Sequence, residues 1–174
     1  MMKKKILEAK GSSDSVGGIL ETVVTGVPSG VGEPWFDTVE GVLAHILFSV
    51  PGIKGVEFGD GFAVADRLGS EVNDGYTIDN GSIVTRKNSS GGILGGITLG
   101  SDILFRCAVK PTPSIGKAQA TVDTQKMECC DISVKGRHDP CIIHRARAVV
   151  DSVTAIAIGD MLITRFGTDY LGKD

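Results

Sequence analysis

The chain has 174 residues, 41% of them hydrophobic and 22% charged, enough to bury a core of its own and too apolar for a disordered segment. Its 21 acidic residues against 18 basic ones leave a net charge of -3, which argues against a general nucleic-acid binder, because such a protein needs a basic footprint. The longest uncharged run, Asn88 to Ser101, has 14 residues and falls below the ~18 needed to cross a membrane, so neither nucleic acid nor membrane is an expected partner. The basic start Met1–Lys10 lacks an apolar core of the secretory kind. Cys107, Cys129, Cys130 and Cys141 therefore read as reduced thiols, and a cytoplasmic location is expected.

In chain order, the β-branched alternation over Asp14–Val27 predicts a strand. Pro28–Gly32 predicts a turn. Glu33-Pro34 then opens a helix, since proline suits a first helical turn, with Trp35, Val39, Val42, Leu43, Ile46 and Leu47 as its apolar stripe and Pro51-Gly52 as its stop. Ile53–Phe58 predicts a short strand. Gly59–Ser90 is rich in glycine and polar residues and predicts a long surface excursion with one short helix over Phe62–Leu68. Ile103–Lys110 is a strand with Ile103, Phe105, Cys107 and Val109 on one face. His144–Phe166 is the longest helix, and its middle, Val153–Ile163, is apolar nearly all round, which predicts cover on both sides from sheets or a partner chain.

Three stretches carry chemistry. Lys110-Pro111-Thr112-Pro113-Ser114 follows a strand, with two prolines fixing φ and two hydroxyls beside a lysine charge. That set suits an anion such as a phosphate, and it equally suits a plain turn with a solvated lysine. Lys135-Gly136-Arg137-His138-Asp139-Pro140, with Arg145 and Arg147 beyond, concentrates positive charge in an acidic protein. Arg137 can grip a phosphate or carboxylate at two points, while His138 and Asp139 suit proton transfer. The alternative is a turn in which Asp139 meets the amides of the following helix. Gly91-Gly92-Ile93-Leu94-Gly95-Gly96 lets the backbone approach a ligand or another strand closely, and it is not a dinucleotide fingerprint. Cys129, Cys130, His138, Cys141 and His144 lie near one another in sequence without paired metal hooks, so no metal is expected. His45 is expected to be a satisfied, partly buried helix residue.

Taken in register, Gly91–Ile97, Lys110–Ile115 and Gly136–Cys141 with Arg145-Ala146 closely resemble the C-terminal half of chorismate synthase. Asp14-Ser-Val-Gly-Gly18, Gly26-Val-Pro28, Gly32-Glu-Pro-Trp-Phe-Asp37 and Lys54–Phe62 agree, so the resemblance runs from about Ile6 to Leu162. It implies an α+β fold, part of a β/α/β sandwich with helices between antiparallel sheets, in a single domain over 1–174. It also implies a phosphate lyase of aromatic amino acid biosynthesis (the shikimate pathway). The reaction is an anti 1,4-elimination of phosphate from 5-enolpyruvylshikimate 3-phosphate to give chorismate, with reduced FMN and no net redox change.

By the same resemblance, Gly95 and Lys110, Pro111, Thr112, Pro113 and Ser114 contact FMN. Arg137 sits between FMN and substrate, and Asp139 assists proton transfer near the reactive flavin nitrogen. A link to NADP and a homotetramer are further implications of the family. The N-terminal half, with the family's histidine motifs, has no counterpart in this sequence. His144 and Arg147 stand where an apolar residue or proline is frequent, Ala148 replaces a frequent proline and Asp151 a frequent glutamate. The isolated chain is therefore expected to be an incomplete enzyme that needs a complementing N-terminal half or a homo-oligomer. The alternative is a non-catalytic, truncated FMN- or phosphate-binding or oligomerisation module.

Overall fold

The computed structural model describes residues 1–172. A helix α1 (Met2–Gly11) precedes strand β1 (Gly18–Val24), helix α2 (Val39–Phe48) and strand β2 (Ile53–Phe58). A one-turn helix α3 (Gly69–Val72) follows, then the hairpin β3 (Tyr76–Asp79) and β4 (Ser82–Thr85), and the two-residue strands β5 (Ile93–Leu94) and β6 (Ile97–Thr98). The chain continues through β7 (Ile103–Val109), the ribbon β8 (Gln119–Asp123) and β9 (Glu128–Ile132), and the long helix α4 (Ile143–Phe166). The fold is α+β, as the sequence predicts.

The central sheet is antiparallel with order β1-β7-β2, and β7 lies in its middle. Its period-two pattern is obeyed: Ile103, Phe105, Cys107 and Val109 are buried, while Arg106 lies on the opposite face between Glu21 of β1 and Glu57 of β2. Arg106 Nη1 stands 3.2 Å from Glu57 Oε1, and its Nη2 donates to the Gly59 carbonyl at 2.6 Å. On the buried face Phe105 packs against Phe58 with ring centroids 5.9 Å apart. Val39, Leu43 and Leu47 of α2 and Ile143, Ala146, Val150, Ala157, Ile158 and Met161 of α4 complete that layer. Each fully buried aliphatic or aromatic side chain there contributes about 1.5–3 kcal/mol.

Several expectations are corrected. β1 is shorter than Asp14–Val27, because Ser13–Val16 bonds to remote loops and Pro28–Val31 turns back to bond with Thr98 of β6. The helix predicted from Glu33-Pro34 begins later: Trp35–Asp37 is a single 3-10 turn, and Thr38 caps α2 by accepting from the Gly41 N–H at 2.9 Å. Trp35, at φ 75°, points outward and is 82% exposed, so it is not part of the apolar stripe. His45 is exposed rather than partly buried, because it sits on the side of α2 turned from the sheet. The excursion holds a 3-10 helix over Gly61–Asp66 and the β3-β4 hairpin, whose Asn80-Gly81 turn has both φ values positive.

For α4 the expected cover is found on one side. Within this chain it has the sheet and α2 on one side only, and Val149 (44%) and Ile156 (64%) remain exposed on the other. The remaining strands form separate two-stranded ribbons rather than a second covering sheet.

Candidate functional site

The turn after β7 is held from two directions. The Lys110 N–H donates to the Gly52 carbonyl at 2.8 Å, which ties it to the turn that ends α2. On the other side the chain before β1 lies against it so closely that a Cβ on Gly17 would press into the Val109 carbonyl and stand 3.0 Å from Pro111 Cδ. Ser15 Oγ donates to the Thr112 carbonyl at 2.7 Å, and Gln119 Nε2 donates to that of Pro113 at 3.1 Å. Lys110, Pro111 and Pro113 are exposed, and Thr112 and Ser114 are half-buried. Thr112 Oγ1 is shut from solvent and has no hydrogen-bond partner among the described residues.

The Arg137–Asp139 corner arrives beside this turn through Val134, whose N–H donates to the Ile115 carbonyl at 3.2 Å, and Ser133 Oγ, which donates to that of Gly116 at 2.7 Å. Its far end is fastened by the Val16 N–H, which donates to the Pro140 carbonyl at 2.8 Å. His138 Nε2 donates to the Val134 carbonyl at 2.7 Å and so braces the corner from within. Asp139 is paired with Arg145 in the first turn of α4, Oδ2 to Nη1 at 2.7 Å. It does not cap the helix amides, for Ile142 occupies that position without a side-chain bond.

A cavity of about 450 Å³ opens here, lined by Lys10, Asp14, Lys135, Arg137 and His138 among others. Lys10, Lys135 and Arg137 form no ion pair among the described residues. The acid in the lining, Asp14, is engaged by Lys117 at 2.7 Å. The Lys117 hydrogen bond, with a second from the Ser15 N–H, holds its carboxyl below the usual aspartate range. The cavity therefore presents unneutralised positive charge, the field an anionic ligand needs.

Gly95 is placed elsewhere. The β5-β6 hairpin is fixed at the other end of β7, where the Leu104 N–H donates to the Gly91 carbonyl and the Val39 N–H to that of Gly96. Seven residues of β7 separate that end from Lys110, about 20 Å at strand rise. The structure thus joins the Lys110–Ser114 turn to the Arg137–Asp139 corner and does not bring Gly95 to them. Gly95 itself is exposed at φ 60° with open space about its Cα. The cysteine and histidine cluster is dispersed: Cys129 and Cys130 lie exposed on β9, and no three metal-ligating side chains come together among the described residues.

The family model for chorismate synthase matches residues 1–163. The chain belongs to the chorismate synthase family. It is 52% identical over 162 residues to a chorismate synthase of Methanobrevibacter smithii, covering 93% of this chain and 44% of the relative. With that of Korarchaeum cryptofilum it shares 49% over 162 residues, covering 93% and 45%. A crystal structure of chorismate synthase matches its fold with a TM-score of 0.78 at 30% identity, covering 98% of this chain and 44% of that one. The chain thus spans less than half the length of the chorismate synthases it matches.

The donor set fits an anionic, phosphate-bearing cofactor of the kind a chorismate synthase is expected to hold. Arg137 lines the cavity, and the neighbouring turn, which is not part of that lining, offers a lysine and two hydroxyls, of which that of Thr112 has its hydrogen-bonding capacity unspent. The role of Asp14–Val16 in tying the segments beside both stretches is not legible in the sequence, where it reads as the start of a strand and as part of a motif shared with the family.

Proposed function

We propose that this chain provides part of a chorismate synthase site and acts in the anti 1,4-elimination of phosphate from 5-enolpyruvylshikimate 3-phosphate. The observation that carries the reading is the junction of the Lys110–Ser114 turn with the Arg137–Asp139 corner beside a positively charged cavity. Lys110 and the hydroxyls of Thr112 and Ser114 hold the anionic parts of FMN. Arg137, which forms no ion pair among the described residues, orients the FMN and substrate anions against each other. Reduced FMN, when bound, supplies electron density while phosphate leaves. Asp139 holds or passes a proton at its carboxylate, and Arg145 fixes its direction. Lys10, Lys135 and Arg137 favour the departing phosphate through the field they set up. Gly95 is a contact for a remote part of the ligand, or for the ligand of a neighbouring copy, through its open backbone.

The chain works in the cytoplasm, as one member of a homo-oligomer or with a complementing N-terminal segment that supplies the rest of the site. By itself it binds FMN weakly and turns over negligibly. Titration of FMN against the wild-type chain, Lys110→Ala and Arg137→Ala tests the assignment. Both substitutions should weaken binding at least tenfold, and unchanged affinity in both overturns it. Robust chorismate formation by the 174-residue chain alone would overturn the requirement for further residues.

A further inference from the structure

We propose that Ser13–Val16 is a strap that sets the Lys110–Ser114 turn against the Arg137–Asp139 corner, with Ser15 as a positioning residue for the flavin site; this rests on the FMN reading above. Four consecutive residues make four ties, one inside the turn, two just past it and one just beyond the corner. The Ser13 carbonyl accepts from the Gly116 N–H at 3.1 Å, and Asp14 Oδ2 meets Lys117 Nζ at 2.7 Å, both just past the turn. Ser15 Oγ donates to the Thr112 carbonyl inside the turn, across 97 residues of sequence. The Val16 N–H donates to the Pro140 carbonyl beyond the corner.

The strap is itself braced, because the Ser15 N–H donates to Asp14 Oδ1 at 2.8 Å. Gly17 behind it allows the close approach that puts Ser15 within reach. Two side chains tie into the turn among the described residues, Gln119 at the Pro113 carbonyl and Ser15 at that of Thr112, the residue whose own hydroxyl is left without a partner. Two prolines flank Thr112 and restrict the backbone, so fixing its carbonyl fixes the direction of the whole turn. Loss of the Ser15 hydroxyl leaves the backbone ties and the Gln119–Pro113 bond in place and releases the Thr112 carbonyl alone. Ser15 touches no proposed ligand group; it acts through Thr112.

The test is FMN affinity of the 174-residue chain, followed by flavin fluorescence well below the melting temperature, for wild type, Ser15→Ala, Ser15→Thr, Lys110→Ala and Val42→Ala. Val42 lies in α2, outside the site, and its truncation lowers stability without touching the strap. Ser15→Ala should weaken binding about three- to tenfold, in line with one hydrogen bond. Ser15→Thr, which keeps the hydroxyl, should return it to within twofold of wild type, and Val42→Ala should leave it unchanged. If Lys110→Ala weakens binding and Ser15→Ala does not, the strap is refuted and the FMN reading stands. If Val42→Ala weakens binding as much as Ser15→Ala, the effect is one of general stability and the strap is again refuted. If the wild-type chain does not bind FMN, or Lys110→Ala and Arg137→Ala bind it as wild type does, the FMN reading fails and the strap with it.

Discussion

The carboxylate of Asp139 holds the guanidinium of Arg145 at two points, Oδ2 to Nη1 at 2.7 Å and Oδ1 to Nη2 at 3.4 Å. The pair joins the loop that carries Arg137 to the first turn of α4. Both side chains are solvent-facing, 34% exposed for Asp139 and 76% for Arg145, so the pair contributes only about 0–1 kcal/mol to stability. A structural role and a chemical role then separate cleanly. Asp139→Asn should leave the melting temperature nearly unchanged and lower turnover of the completed enzyme about 10²-fold, the usual weight of a proton-transfer group. Thermal melting and a steady-state assay on one preparation check both, and turnover equal to wild type would reduce Asp139 to a tether for Arg145.

Phe105 has no exposed surface and packs against Phe58 beneath α2 and α4. Phe105→Ala should cost about 3–5 kcal/mol, measured as a shift in the urea midpoint. Val122, 59% exposed on the outlying ribbon, makes the comparison: Val122→Ala should move the midpoint by no more than about 0.5 kcal/mol. Similar losses at the two positions would mean that the sheet and helices are not the cooperative core.

Where the sequence was readable, burial had imposed a period on it. β7 alternates because one face meets two helices, and α4 begins within one residue of its predicted start because its apolar spacing is long and regular. The β8-β9 ribbon is nearly all exposed, so nothing selected an apolar alternation that could announce it. The β3-β4 hairpin did carry a signal, the Asn80-Gly81 pair, but Ile78 and Ile83 remain exposed and the surrounding pattern reads as loop. Trp35 falls outside the stripe because apolar character does not by itself imply burial; the residue lies in the 3-10 turn before α2 and is 82% exposed. In the site, the chemical types of Lys110, Arg137 and Asp139 were legible as motifs. The segments that carry them are tied by bonds such as those from Ser15 and Val16 to Thr112 and Pro140, and no local pattern encodes bonds across that separation.

Cys107 lies in the middle of β7 with no exposed surface, and burial pushes its thiol up to about 11. Cys129 and Cys130 are exposed on β9, and Cys141 is half-buried. Under a thiol-reactive chromophore, two cysteines should label at once and a third more slowly, with Cys107 labelling only when the protein unfolds. The pH dependence has a fixed sign. A thiol whose folded value is raised contributes stability fully present below its ordinary value of about 8.5–9, and this is lost as pH rises toward 11. Cys107→Ala should remove that alkaline decline relative to wild type in urea midpoints taken from pH 8 to 11. Prompt labelling of Cys107 in the folded protein would contradict the packing of β7 under the helices.

The outer side of α4 presents Ile156 and Val149 to solvent, next to a groove lined by Phe36, Val42 and Ile46 on the α2 side. A helix apolar nearly all round calls for cover on both faces, and in this chain the sheet covers one. On the reading proposed above, a complementing N-terminal segment is expected to take the second. Ile156→Glu should leave the isolated chain as stable as wild type, within about 0.5 kcal/mol, because the position is open to water there. Against the complementing segment the same charge would be buried without a partner, and the complex should weaken at least tenfold. Titration of labelled segment into wild-type and substituted chains reads the difference directly. Equal affinity would place the segment elsewhere on the molecule and leave this helix face without a role in assembly.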